Sequence, residues 1–154
     1  MRRSMLPFVL ALLLPAAPAV SAEKQSWGFV RSGSEALLVY GVPESEAITL
    51  SFICEPKKKQ IDVVTTVLPA KSKLGQAATI KLTNSSASLD FKGKVGRDNA
   101  DSGKHVSAMT AIDVRLFDLL ENGTSVRIDV LSAHDSVPLK GIKAPLAQMR
   151  KACR

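Results

Sequence analysis

The chain has 154 residues, of which 45% are hydrophobic, 23% charged and only 5% aromatic, and its formal net charge is +7. That length suits one domain around one core and is short for two. The scarcity of aromatic residues argues against a base-stacking nucleic-acid platform, while the positive excess fits an anionic surface or polymer, or solubility alone.

In chain order, the first feature is a leader. Arg2 and Arg3 form a short positive region, an apolar run extends from Met5 to Leu14, and the small-residue pattern APAVSA ends at Ala22. Val20 and Ala22 occupy the minus-three and minus-one positions of a signal-peptidase site, so residues 1–22 have the layout of a secretory signal. A membrane anchor is the competing reading, but the run is too short for ~30 Å of hydrocarbon and prolines interrupt its far end. Two arginines are also an ordinary positive region, which favours Sec export over the twin-arginine route. Cleavage after Ala22 leaves one domain over residues 23–154, periplasmic or secreted, with 19 basic and 14 acidic residues. No later stretch is long and apolar enough to cross a bilayer.

Period-two alternation dominates the first two-thirds of that domain. SWGFVRSG (26–33) and EALLVYGVP (35–43) are strand-like segments bounded by Gly, Ser and Pro. In AITLSFICE, Ile48, Leu50, Phe52 and Cys54 share one face. IDVVTTVLP aligns Ile61, Val63 and Val67, ATIKLT aligns Ala78, Ile80 and Leu82, and ASLDFK aligns Ala87, Leu89 and Phe91. EPKKKQ and TNSS between them are short and polar, as hairpin loops tend to be. The stretch from Lys92 to His105 is expected to be a long irregular loop, and VSAMTAI (106–112) a weaker strand. Further on, SVRIDVL turns Val126, Ile128 and Val130 inward.

Two segments break the period. DVRLFDLLENG spaces Val114, Phe117 and Leu120 for a helix, with Asp113 at the N-cap and Asn122-Gly123 at the stop. In the closing segment, Ile142, Leu146, Met149 and Cys153 form one helical stripe after a short strand and Gly141, with Pro145 tolerable only in the first turn. Arg150, Lys151 and Arg154 suit the negative end of that helix. The expected fold is thus mainly β: an antiparallel, β-sandwich-like domain with one short helix and a C-terminal helix packed on the sheet.

Cys54 and Cys153 both face the core on this reading, and in an oxidising compartment two inward thiols are expected to join. The alternatives are two separate buried thiols or a bridge to another molecule.

Motifs for chemistry are weak. His105 and His134 lack a second histidine at ligand spacing, and two distant cysteines make no zinc pattern. DNADSG (98–103) has Asp98 and Gly103 where a calcium loop wants them, but Ala100 and Met109 occupy ligand positions three and twelve, so a surface loop is expected. HDS (134–136) holds the three triad residue types side by side, an arrangement that points them apart. No Ser lies in a G-x-S-x-G turn, and Gly96, Gly103 and Lys104 do not fit a phosphate loop. Asp62, Asp90 and Asp129 fall on solvent faces of strands. No metal or cofactor is expected. The run Lys57-Lys58-Lys59 is either a solvated hairpin tip or a contact for an anionic partner: a lipid headgroup, a cell-wall polymer or an acidic protein cleft. Trp27 and Tyr40 are binding anchors or core aromatics. The sequons at Asn84 and Asn122 matter only in a glycosylating host.

An early Trp27, the strand LSFIC, a helix leading through ENGTSVRIDV into a strand, and the ending VPLKGIKAPLAQMRKAC together give a familiar layout. It resembles small periplasmic proteins of the invasion-associated locus B type in alphaproteobacteria, and is similar also to periplasmic accessory proteins of type VI secretion loci. The shared part is the C-terminal third plus the Cys54 strand. Its motifs are architectural and carry no catalytic residue. The single cysteine pair and the 92–105 stretch depart from both patterns. The resemblance implies a β-sandwich-like periplasmic domain with a role in host interaction or secretion.

The function expected is a non-catalytic, exported binding or accessory protein of the cell envelope. The alternative is an inhibitor of an envelope hydrolase such as a lysozyme-type enzyme, presenting a protruding loop at Lys57–Lys59 or within 92–105. A third reading is an enzyme whose carboxylates assemble only in space.

Overall fold

Alternating side chains place strands where they are expected. β1 (Ser26–Ser32), β2 (Glu35–Gly41), β3 (Ile48–Glu55), β4 (Gln60–Thr65), β5 (Ala77–Thr83), β6 (Ser88–Gly96), β7 (His105–Ala111), β8 (Ser125–Val130) and β9 (Ala133–Pro138) are joined by α1 (Val114–Glu121) and closed by α2 (Lys143–Ala152). The computed structural model describes residues 24–97 and 103–154. The expected leader over 1–22 and most of the DNADSG segment therefore lie outside the described residues.

Every strand pair is antiparallel, and the strands form one sheet in the order β1-β2-β3-β4-β7-β6-β5-β8-β9. The inward rows are those set by the alternation: Leu50, Phe52 and Cys54 on β3, Ile61 and Val63 on β4, Ala78, Ile80 and Leu82 on β5, and Val126, Ile128 and Val130 on β8 are all buried. The sheet narrows at its middle. Among the described residues, β6 meets β7 only through Lys94↔Ser107, Val95↔Val106 and Gly96↔His105. Beside this seam the chain needs glycine, because a Cβ on Gly93 would stand 2.1 Å from the Ser107 carbonyl oxygen. At the other extreme the first and last strands approach each other. The indole Nε1–H of Trp27 in β1 donates to the Pro138 carbonyl at the end of β9, 2.7 Å away across 111 positions of chain. Trp27 and Tyr40 are thus core aromatics, 7% and 8% exposed, with ring centroids 5.3 Å apart.

Both helices form where expected, but Val114, placed on the apolar stripe of the first by its spacing, is exposed, and Leu116 and Leu119 are buried beside Phe117 and Leu120. The Asp113 carboxylate accepts from the Arg115 N–H at 2.9 Å and caps α1. Gly141, at φ +85°, turns the chain out of β9 into α2, a conformation that side-chain-bearing residues avoid. Pro145 is the third residue of α2, so its missing N–H costs no helical bond. Ile142, Leu146, Met149 and Cys153 are all buried, and α2 packs on β1, β2 and α1. Arg150 reaches from α2 to Glu121 (3.0 Å) and Asp118 (3.4 Å) of α1, with its guanidinium 5.4 Å from the Phe117 ring centre.

The expected loop from Lys92 to His105 is much shorter in the structure. β6 continues to Gly96 and β7 begins at His105. Glycines at 93 and 96 gave the segment a loop-like composition, yet Val95 is buried and exchanges hydrogen bonds with the β4–β5 connection: Gly75 N–H donates to the Val95 carbonyl and Val95 N–H to that of Gln76, each at 2.9 Å. β9 likewise begins earlier than its apolar residues suggest, because Ala133 and the polar residues His134, Asp135 and Ser136 form a sheet edge against β8.

The seam gives a direct expectation. Gly93→Ala drives a methyl group into backbone that cannot rotate away, so it should lower unfolding stability by at least ~1–3 kcal/mol. Trp27→Phe removes one buried donor and should cost about 1 kcal/mol. Urea denaturation followed by circular dichroism measures both.

Candidate functional site

The strongest covalent feature is the bond between Cys54 and Cys153, whose Cα atoms lie 6.0 Å apart and 99 positions apart in the chain. Both side chains are buried, Cys54 at the end of the core row of β3 and Cys153 just past the last turn of α2. The pairing expected from the sequence is therefore present. It joins the interior strand β3 to the end of α2, with no thiol left for nucleophilic chemistry among the described residues.

The lysine run lies where a hairpin tip is expected, between β3 and β4. Pro56–Lys58 form a 3-10 turn, Lys59 closes it at φ 54°, and all three lysines are exposed. The run is not uncompensated. Glu55 pairs with Lys58 at 2.6 Å, and this hydrogen bond, together with the charges of Glu55 and more distant Glu35, raises the Lys58 pKa. The turn is also fastened down, since Ile112 N–H donates to the Lys59 carbonyl at 3.1 Å.

The candidate catalytic residues are dispersed. On β9, His134 lies opposite Asp129, Asp135 opposite Ile128 and Ser136 opposite Arg127, so Asp135 takes the other side of the strand from its neighbours. The Ser107 hydroxyl donates to the Asp62 carboxylate, its one proton shared between oxygens 2.8 and 2.9 Å away. Asp129 is held by the Arg127 guanidinium at 2.7 to 2.9 Å, and Asp90 lies opposite Lys81. The Arg127 hydrogen bonds hold the Asp129 carboxyl below the usual carboxylate range, with smaller contributions in the same direction from His134 and Lys81. Among the described residues, no group of three or more His, Cys, Asp or Glu side chains is placed to hold a metal ion.

A shallow groove of about 320 Å³ runs between the β5–β6 turn and α1, lined by Asn84, Ser88, Leu89, Arg115, Asp118 and Leu119 among others. Its polar groups are largely committed to the fold. The Asn84 amide donates to the carbonyls of Leu119 (2.8 Å) and Asn122 (2.5 Å) while its oxygen accepts from Ser86 and Ala87 N–H at 2.8 Å. Asn122 donates its own amide to the Asp118 carbonyl at 2.7 Å. Both sequon asparagines are thus structural pins that tie the hairpin turn to the end of α1. The sequence signals only the turn at Asn84; its partners lie 35 and 38 positions away.

No known protein family and no curated protein matches the chain by sequence. Among solved structures, the crystal structure of invasion associated protein B from Bartonella henselae is similar, with a TM-score of 0.52 at 11% identity, covering 81% of this chain and 92% of that chain. At that identity the likeness shows the fold alone. It is a distant structural relation, in keeping with the architectural part of the resemblance drawn from the sequence.

Two expectations arise from the site residues. Replacing Cys54 and Cys153 together by Ala should lower stability by up to ~4.7 kcal/mol, the entropic ceiling for a loop of about a hundred residues. The loss should be accompanied by faster amide exchange in α2, read by mass spectrometry. At the α1 cap, hydrogen bonds from the Arg115 side chain and then its backbone N–H hold the Asp113 carboxyl below its ordinary value. A lowered folded-state pKa contributes stability above the unfolded carboxylate range, lost as pH falls through the folded value. Asp113→Ala should therefore cost about 1 kcal/mol near neutrality, mostly through the cap since the ion pair is exposed. Denaturation midpoints of wild type and variant should converge as the solution is acidified.

Proposed function

We propose that the chain is an exported, non-catalytic accessory domain of the cell envelope that works by binding. The observation that carries this reading is the Cys54–Cys153 bond. A bond between an interior strand and the terminal helix persists in an oxidising compartment and is rare in a reducing one. The leader-like residues 1–22 support the same destination. The fold likeness to a protein described as invasion associated supports a role at the envelope or in host contact.

An inhibitor of an envelope hydrolase is less well supported. It calls for a protruding loop, whereas the Lys57–Lys59 turn is short and bonded to Ile112, and residues 92–96 of the second candidate belong to β6.

The test is expression of the full chain in a Gram-negative host, followed by fractionation, intact mass and alkylation without reductant. The expected product begins at Glu23, resides in the periplasm or medium, and takes up no alkylating agent. A full-length product in the cytoplasm with both thiols modified would overturn the export reading. Loss of lysozyme-type activity on mixing with the oxidised protein would overturn accessory binding in favour of inhibition.

A further inference from the structure

The sequence points to Lys57–Lys59 as the anionic contact, but the structure concentrates uncompensated charge elsewhere. No acidic residue occurs between Asp62 and Asp90, or from Phe91 to Arg97. The cations in those stretches, apart from Lys81, gather around one end of the outer sheet face. Lys92 and Lys94 project from β6, both exposed. Their register partners are Thr79, for Lys92, and Ala77 and Ser107, for Lys94, so neither faces a carboxylate across the strands. The row of Lys94 continues through Ser107 to Val64, so Asp62 lies two strands away and two residues further along, beyond roughly 10 Å or about one Debye length. Asp90, two residues before Lys92 on the same face of β6, lies opposite Lys81. Lys81, farther along β5, is different: it lies between Asp90 and Asp129. The outer face is therefore charge-balanced at one end and basic at the other.

The β4–β5 connection enlarges the basic end. Its Gly75 and Gln76 bond to Val95 of β6, bringing exposed Lys71 and Lys73 to the Lys94 side of the sheet. Lys104 fastens this connection from the start of β7, donating to the carbonyls of Ala70 (2.9 Å) and Ser72 (2.5 Å). With Lys104 the region holds five lysines, against Asp98 and Asp101 in the adjoining sequence.

Two large apolar side chains stand at the same end. Leu74, at the tip of the connection, is 58% exposed, and Leu131, after β8, is 48% exposed. Leu131 lines a shallow depression with Ala77, Thr79 and Lys92, so it adjoins the lysines directly. Lysines beside projecting leucines suit a surface whose anionic headgroups overlie hydrocarbon. A soluble polyanion would use the lysines and ignore the leucines.

We propose that this end of the sheet, Lys71, Lys73, Lys92 and Lys94 with Leu74 and Leu131, docks on anionic lipid bilayers. The proposal goes beyond the accessory reading by naming the surface bound, and vesicle binding is measured independently of export. Lysine ammonium groups engage headgroup phosphates while Leu74 and Leu131 enter the boundary between headgroups and acyl chains.

The experiment is co-sedimentation of the purified, oxidised protein with vesicles of phosphatidylcholine alone or enriched in phosphatidylglycerol. Intact mass first establishes that the apolar leader has been removed, since a retained leader would itself partition into lipid. The protein should bind the anionic vesicles, spare the neutral ones, and bind more weakly as salt rises. Lys92→Glu with Lys94→Glu should weaken binding by at least ~25-fold, about fivefold for each lysine lost. Lys57→Glu with Lys59→Glu should leave it unchanged. Leu74→Ser with Leu131→Asn should weaken binding most at high salt, where the electrostatic part is screened; Asn tolerates the left-handed backbone of residue 131. Near-UV circular dichroism and an intact disulfide establish that each variant is folded. Equal binding to neutral vesicles, or loss only in the Lys57/Lys59 variant, would overturn the proposal. Leucine variants that bind like wild type, with full competition by a soluble polyanion, would overturn it in favour of a polymer ligand.

Discussion

The fold depends on closing an open sheet. A nine-stranded antiparallel sheet that ended freely would leave two unpaired edges and an apolar face without a partner. Here the two ends are brought together. The Trp27 indole bonds to the Pro138 carbonyl, and the chain then turns at Gly141 so that α2 lies against β1, β2 and α1. The Cys54–Cys153 bond fastens this last element to an interior strand. Without that fastening, α2 would be a ten-residue helix at a chain end, held by one apolar stripe, and isolated helices of that length are marginal in water.

The same closure explains the second helix. α1 lies between β7 and β8 and buries four hydrophobic side chains, but its C-terminal carbonyls need partners. Asn84, from the β5–β6 turn, satisfies two of the carbonyls there, and Arg150 of α2 draws the acidic side chains of Asp118 and Glu121 toward the terminal helix. Polar groups that resemble parts of a site are in this way absorbed into scaffolding. Asp62, Asp113 and Asp129 have comparable partners in Ser107, Arg115 and Arg127. The proposed lipid docking draws instead on the distribution of charge and exposed apolar surface, which the sheet sorts by strand and by end. Function in such a domain resides in surface chemistry mounted on the fold, not in the fold itself.

Much of this architecture was legible in the residues. Alternation marked most of the strands, Asp113 and Asn122-Gly123 bounded α1, and the stripe ending at Cys153 placed α2. The length of β6 was not legible, because Gly93 and Gly96 look like loop residues until the Ser107 backbone that excludes a side chain at 93 is in view. Nor was the bond between the edge strands: nothing near Trp27 indicates that its donor meets residue 138. Lys57–Lys59 drew attention as a run, yet Glu55, three residues before Lys58, pairs with it, and Glu35 acts on it through the fold.

By itself, then, the sequence determined which segments become strands and helices, which faces are apolar, and that both cysteines turn inward. Those are consequences of local periodicity, capping and backbone freedom, all written within a few residues. The tertiary structure alone decided strand order, the narrow seam at β6 and β7, the pairing of Trp27 with Pro138, and the gathering of scattered lysines beside Leu74 and Leu131. The physical reason is range. Hydrogen-bond registers and surface fields join residues distant in the chain, and their partners exist only once the sheet has assembled.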